Sequence, residues 1–312
     1  MSTSVLRTAD AWWALTEAGA VRIGTPATTT AGLLADRDAV AAATASGDAV
    51  PVGQLSLISP VTAPCRVVAQ MTNYASHVTD TGGDPATVPL TFFRKSSGSI
   101  SGPSDDVVRP AHVRLLDYEV EIGLVIGTEM TVGSDMSEDS LDGLIAGLVV
   151  TNDVSARDIQ LPQTQFYEAK SYPTFTPCGP ALVLLDPGEI KRFADLRLRL
   201  RVNGELRQFM TAADMIYSPL QALRGLARFQ RLDPGDLVLT GTPAGTALSA
   251  PSRPVQVIAA LLPDHVKWRM FFRGQAGNPK YLQDGDVIEA SVATDDGAID
   301  LGTQHTVVRD AR

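Results

Sequence analysis

The stretch Leu116-Asp117-Tyr118-Glu119-Val120-Glu121-Ile122-Gly123-Leu124-Val125-Ile126 decides how this chain is read. Apolar residues alternate with acids, then an apolar run closes at Gly127-Thr128. Side chains of a strand alternate between two faces. The pattern therefore predicts a strand with Asp117, Glu119 and Glu121 on one face and Tyr118, Val120 and Ile122 on the other. Carboxylates stacked on one face repel, and in a buried strand they are costly unless a cation or bases neutralise them. Between Arg114 and Lys170 the only base is Arg157. A hard divalent cation is the natural partner. The rival reading is an edge strand whose acids face water.

Further along, the apolar run at 143–151 predicts a second buried strand that delivers Asn152-Asp153, with Ser155 placed to start a helix. Glu119 and Glu121, one strand-step apart, and Asp153 at another strand's end are three oxygen ligands on rigid elements. Such a set suits Mg²⁺ or Mn²⁺ and leaves positions for water and substrate. Upstream, Thr72-Asn73-Tyr74-Ala75-Ser76-His77-Val78-Thr79-Asp80 reads as a polar turn or short helix. It puts His77 and Asp80 on one face, a base and its orienting partner. Downstream, Leu237-Val238-Leu239-Thr240 reads as a strand ending in Gly241-Thr242-Pro243-Ala244-Gly245-Thr246. The amides and hydroxyls of that turn can hold a carboxylate. It lacks the Gly-Lys-Ser/Thr ending of a P-loop.

At 312 residues the chain is one large domain, or a large one plus a small one. A net charge of −9 argues against nucleic acid and against an anionic membrane surface. Cys65 and Cys178 form neither a disulfide framework nor a zinc spacing, so they read as inert and a reducing cytoplasm is the default. The N-terminus lacks the apolar core of a signal peptide. The longest apolar run, at 144–150, is too short to cross a bilayer. Residues 1–62, rich in Ala and Thr, read as a small N-terminal domain with a helix at 31–45 and a strand at 55–58. From 63 to 312 strands dominate. Leu196 to Val202 alternates apolar residues with arginine, and Asn203-Gly204 then supplies a two-residue hairpin turn. Ser218-Pro219-Leu220-Gln221 reads as a capping box with Pro at the first helical position. Residues 251–282 read as partly helical, a lid or an interface insertion, with Trp268, Phe271 and Phe272 in core or interface. The fold class is α+β, mostly β: a mixed β-roll or barrel with few helices, not a doubly wound sheet.

Taken together, these segments resemble the fumarylacetoacetate hydrolase family. The resemblance rests on Asn73-Tyr74-Ala75-Ser76-His77, Phe93-Arg94-Lys95, Asp117-Tyr118-Glu119-Val120-Glu121 and Asn152-Asp153-Val154-Ser155-Ala156-Arg157-Asp158-Ile159-Gln160. It continues in Lys170-Ser171-Tyr172, Gly179-Pro180 and Thr240-Gly241-Thr242-Pro243-Ala244-Gly245. These run in the family's order from about residue 66 to the C-terminus. The resemblance implies a homodimer of compact mixed β fold and a Mg²⁺ or Mn²⁺ site at Glu119, Glu121 and Asp153. It also implies a catalytic His77, an active-site Lys170, substrate-side Arg157 and Gln160, and a carboxylate-contacting Thr242. One departure is Asp80, where members acting on 2-oxo acids often carry a Glu.

The expected activity is cleavage of a C–C bond in a small anionic β-dicarbonyl acid of acylpyruvate or fumarylpyruvate type. The metal would stabilise the enolate as a Lewis acid, and His77, held by Asp80, would activate water. Lys170 would stabilise developing oxyanion charge. Decarboxylation of oxaloacetate and isomerisation or hydration of hydroxymuconate-type dienes share the same intermediate and stand as alternatives. A metal-dependent module that binds a 2-oxo acid without turnover is the alternative from outside enzymology.

Overall fold

In the computed structural model, which describes residues 2–45, 47–80, 82–163, 165–248 and 262–311, Val120–Ile126 is an interior strand of a ten-stranded sheet. It pairs antiparallel with Ile145–Asn152 on one side and Leu237–Leu239 on the other. Leu237–Leu239 in turn pairs parallel with Val67–Met71, which pairs antiparallel with Thr91–Lys95. An interior strand has both faces covered, which explains its continuous apolar run. Val120, Ile122 and Leu124 point into a core shared with a second, five-stranded sheet. That sheet runs in the order Glu205–Thr211, Leu196–Val202, Val287–Thr294, Asp300–Asp310, Val107–Arg109. Val125 points the other way, into a core with Val149, Leu237 and Leu239 beneath the helices Thr30–Leu34 and Arg37–Thr44. Burying a side chain the size of Ile122 or Leu124 stabilises by about 1.5–3 kcal/mol. The mostly-β, mixed-sheet expectation holds.

The N-terminal strands Thr3–Arg7, Trp12–Thr16, Gly19–Arg22 and Ala49–Val50 extend this large sheet, because Thr3–Arg7 pairs antiparallel with Leu182–Leu184. Sequence reading overlooked the first three of these strands. Each is only four or five residues long, and the Ala/Thr-rich composition of 1–62 marks no element there. The helix expected at 31–45 is two helices, broken where the Asp36 carboxylate accepts the Thr25 hydroxyl (2.6 Å). The strand expected at 55–58 does not form. Only the Ile58 amide reaches a strand, donating to Arg7 O.

The arginine-rich hairpin forms as expected, with Arg197 on Asp295 (2.6 Å) and over the Phe209 ring. The helix Pro219–Ala227 starts at the capping box of Ser218 and Gln221. Residues 249–261, which hold much of the expected insertion, lie outside the described residues. The helix Asp264–Gln275 follows them, and Trp268 stacks on Phe272 (5.9 Å between centroids). Among the described residues no helix is long and apolar enough to cross a membrane.

Candidate active site

The acidic stretch does not form one strand, and its three acids do not share one task. Leu116–Asp117 pairs with Ser155–Ala156, whereas the large sheet begins only at Val120. The break comes from side chains that take over the ladder. The Asp117 carboxylate accepts the Tyr118 amide (2.8 Å), and the Asn152 side-chain oxygen accepts the Glu119 amide (2.8 Å). The Asp153 amide donates to Glu119 O (2.8 Å), which sets Glu119 and Asp153 side by side. Ser155 starts no helix. Its hydroxyl donates to Asp153 O, and the short helix is Arg157–Gln160.

Glu119, Glu121 and Asp153 converge, with one oxygen from each within 4.8 Å of the others. All three are buried. Asp117, expected on the same face, is turned away. It accepts Arg157 Nε (2.8 Å) and the amides of Ala247 (2.7 Å) and Leu248 (3.1 Å).

Three buried bases answer these acids. Arg157 donates to Asp117, to Glu119 Oε1 (2.5 Å) and to Gln160 Oε1 (2.8 Å). Lys170 Nζ bridges Glu119 Oε2 (2.6 Å) and Asp153 Oδ2 (2.8 Å). Lys95 Nζ donates to Asp153 on its other side and to Phe175 O (3.0 Å). Sequence reading gave Lys95 no role. Its one trace in sequence is its place in Phe93-Arg94-Lys95, since the strand Thr91–Lys95 also carries Thr91 and an exposed Arg94.

Burial works against the Lys170 ammonium, but Asp153 and Glu119 outweigh it and raise its pKa. Burial likewise opposes ionisation of Glu119, and Lys170 and Arg157 outweigh that, so its carboxyl falls below the usual range. Four buried carboxylates thus meet three buried bases. The surplus acid is Glu121. Its partner is the Gly241 amide (2.7 Å), and no base reaches it among the described residues. Burial first, and then the charges of Asp153 and Glu119, push its carboxyl well above the ordinary range. A buried oxygen-rich set short of one positive charge fits a hard divalent cation.

The loop after Leu237–Leu239 is tied to the acids. Gly241 sits at φ +88, and a Cβ there would lie 2.8 Å from Asn73 Cβ, so the amide that serves Glu121 requires glycine. Gly245 at φ +105 would put a Cβ 2.0 Å from Arg207 O. The Thr242 hydroxyl donates to Val120 O (2.9 Å) and accepts from Gln208 Nε2 (2.8 Å). It is therefore engaged in holding the loop to the strand, while the residue still lines the cleft. Gln208, also unassigned from sequence, accepts the Val120 amide (3.0 Å) as well. Gln208→Met should leave Val120 N–H buried without a partner and cost about 1–3 kcal/mol in denaturant unfolding. An unchanged midpoint would show that the loop is held otherwise.

His77 lies on the short helix Ala75–Asp80 and lines the same cleft as Glu119, Glu121, Asp153, Lys170 and Gln160. The cleft has a free volume of about 200 Å³, room for a small acid. Phe93 and Phe166, edge to face at 5.6 Å, form an apolar wall. Burial lowers the His77 pKa, partly offset by Glu119, so the ring is neutral at pH 7. Asp80 is exposed at the helix end and does not line the cleft. Arg157 lines the cleft as well, and each of its three nitrogens already donates to a protein partner. It fixes Gln160 so that Oε1 faces the guanidinium, leaving the Gln160 Nε2 donor available to a ligand. Burial pushes the Cys65 and Cys178 thiols up to about 12, so neither is a thiolate.

The family profile described as fumarylacetoacetate (FAA) hydrolase C-terminal matches residues 66–309. A mitochondrial oxaloacetate tautomerase of Rattus norvegicus is 35% identical over 200 residues, 64% of this chain and 62% of that protein. The match thus spans less than two thirds of that relative. Among solved structures, a probable 2-hydroxyhepta-2,4-diene-1,7-dioate isomerase from Mycobacterium abscessus is 29% identical, with a TM-score of 0.76 over 100% of both chains. A fumarylacetoacetate hydrolase from Exiguobacterium antarcticum is 26% identical, with a TM-score of 0.72 over 100% of both chains.

Proposed function

The chain belongs to the fumarylacetoacetate hydrolase family, and on that premise we propose that it is a Mg²⁺- or Mn²⁺-dependent enzyme interconverting enol and keto forms of a small 2-oxo dicarboxylic acid. The observation that carries this reading is the buried, uncompensated Glu121 beside Glu119 and Asp153, in a cleft that also holds a neutral His77. When bound at those three acids, the cation supplies Lewis-acid polarisation of the 2-oxo group. Lys170 and Lys95 hold Asp153, and Lys170 and Arg157 hold Glu119, so the ligand oxygens are fixed before substrate arrives. Gln160 Nε2 donates to the substrate's carboxylate, and Phe93 and Phe166 exclude water from one side. His77 takes the proton from the carbon next to the 2-oxo group, and one proton returns to the oxygen. No water is consumed.

This chemistry asks less of His77 than hydrolysis does. C–C hydrolysis, the first expectation from sequence, also needs a water molecule to be activated, which interconversion does not. The rat relative and the Mycobacterium abscessus structure, by their names, support interconversion. Hydrolysis of acylpyruvates is the second reading, supported by the name of the Exiguobacterium structure. The homodimer and the cytoplasmic location expected from sequence belong to the proposal, with sedimentation velocity as the check on the former.

The test is loss of the ultraviolet absorbance of enol-oxaloacetate with Mg²⁺, alongside product analysis on acylpyruvates. Interconversion without C–C cleavage is expected. Cleavage of acylpyruvates alone would establish the second reading, and binding without turnover of either would leave only a binding module. His77→Ala should lower kcat by about 10²- to 10⁴-fold, while oxalate affinity in calorimetry changes little. Unchanged kcat would remove His77 from the mechanism.

A further inference from the structure

The strand Val67–Met71 reads Val-Val-Ala-Gln-Met, one carboxamide among apolar residues. Gln70 is 3% exposed, and its side-chain nitrogen Nε2 is buried with no hydrogen-bond partner among the described residues. Buried donors in native proteins are nearly always paired, so an orphan at a cleft points to a partner that arrives from outside. Gln70 lines the cleft of Glu121, Lys170 and Gln160. Its backbone carbonyl oxygen lies beside Gly241, whose amide holds Glu121. Two residues on, Thr72 lines the same cleft at φ 51, a left-handed conformation that a β-branched residue rarely adopts.

We propose that Gln70 is a substrate-binding, specificity-determining residue that donates from its side-chain amide to the distal carboxylate of a 2-oxo dicarboxylic acid. The inference rests on the reading given under Proposed function. An N–H donor calls for an acceptor, which excludes the metal and selects a carboxylate or carbonyl oxygen. Charge balance favours a neutral donor there. A divalent cation brings the buried cluster from one negative charge to one positive, enough for the 2-oxo acid head, and the distal carboxylate then needs a hydrogen bond. Gln160 and Gln70 are two carboxamides lining one cleft, so each carboxylate of a dicarboxylic acid has one donor.

The experiment compares wild type with Gln70→Met, which keeps the volume and removes the donor. Both are titrated with oxalate in Mg²⁺, a probe with the acid head alone. Both are then assayed with oxaloacetate and, by deuterium exchange at carbon 3, with 2-oxobutanoate, which lacks the distal carboxylate. The expected result is a loss of about 10- to 100-fold in kcat/KM for oxaloacetate, mostly in KM. Oxalate affinity and 2-oxobutanoate exchange should shift less than about 3-fold. Equal losses on both acids, or none on oxaloacetate, would overturn the assignment. Failure of the wild type to bind oxalate would instead overturn the parent reading, and this one with it. Oxalate binding also reports that the variant is folded, and Gln70→Leu replaces it if that control fails.

Discussion

Glu121→Gln is expected to cut kcat/KM by about a thousandfold and, in the absence of metal, to make the protein more stable. Both effects follow from one imbalance. Arg157, Lys170 and Lys95 answer Asp117, Glu119 and Asp153, and Glu121 has only the Gly241 amide. Without a cation, a buried carboxylate among other carboxylates is a liability, and a neutral amide of the same shape removes it. The gain should be about 1–2 kcal/mol, a few degrees in Tm. The same change removes a ligand. If Lewis-acid stabilisation is worth about 4 kcal/mol, kcat/KM falls by about a thousandfold. Differential scanning calorimetry in EDTA and titration with Mg²⁺ or Mn²⁺ read the two effects separately. A variant that is less stable without metal, or that still releases the heat of binding, would refute the charge assignment. Stability given up for a functional site is a common trade in enzymes.

Arg157→Met should do the opposite and damage the fold itself. The guanidinium holds Asp117, Glu119 and Gln160 at once and is itself buried. Removing it strands the Asp117 carboxylate, which also accepts the amides of Ala247 and Leu248 and so anchors the loop beyond Thr242. Breaking one side of a buried ion pair typically costs about 3–5 kcal/mol. In a chain of this size that is roughly 5–15 °C in Tm. Adding Asp117→Asn should restore part of the loss, since the stranded charge goes with it, and a double-mutant cycle measures the coupling. A loss below about 1 kcal/mol would show that solvent reaches this network.

The alternation in the acidic stretch foretold which of its side chains enter the core and which meet at the acidic cluster, because a period of two is written into adjacent residues. Asp117 spoiled the simplest version of that reading. Where Asp117 and Asn152 side chains replace ladder partners, the strand breaks, and Asp117 leaves the face it would otherwise share with Glu119 and Glu121. Gln208 and Lys95 left weaker traces. Each sits among other polar residues in its strand, a pattern that fits a wet edge as well as a buried site.

By itself the sequence determined the strand-rich class, the family and the three acids that gather, since each depends on spacing within a short segment or on motifs in a fixed order. Only the tertiary structure decided which base neutralises which acid and which polar groups stay free. Lys95 meets Asp153 from 58 residues away, and Gly241 meets Glu121 from 120. Charge compensation falls off with distance in space, not along the chain. A buried carboxylate left over, an engaged Thr242 hydroxyl and an unpaired Gln70 therefore emerge only once the sheets have closed around them.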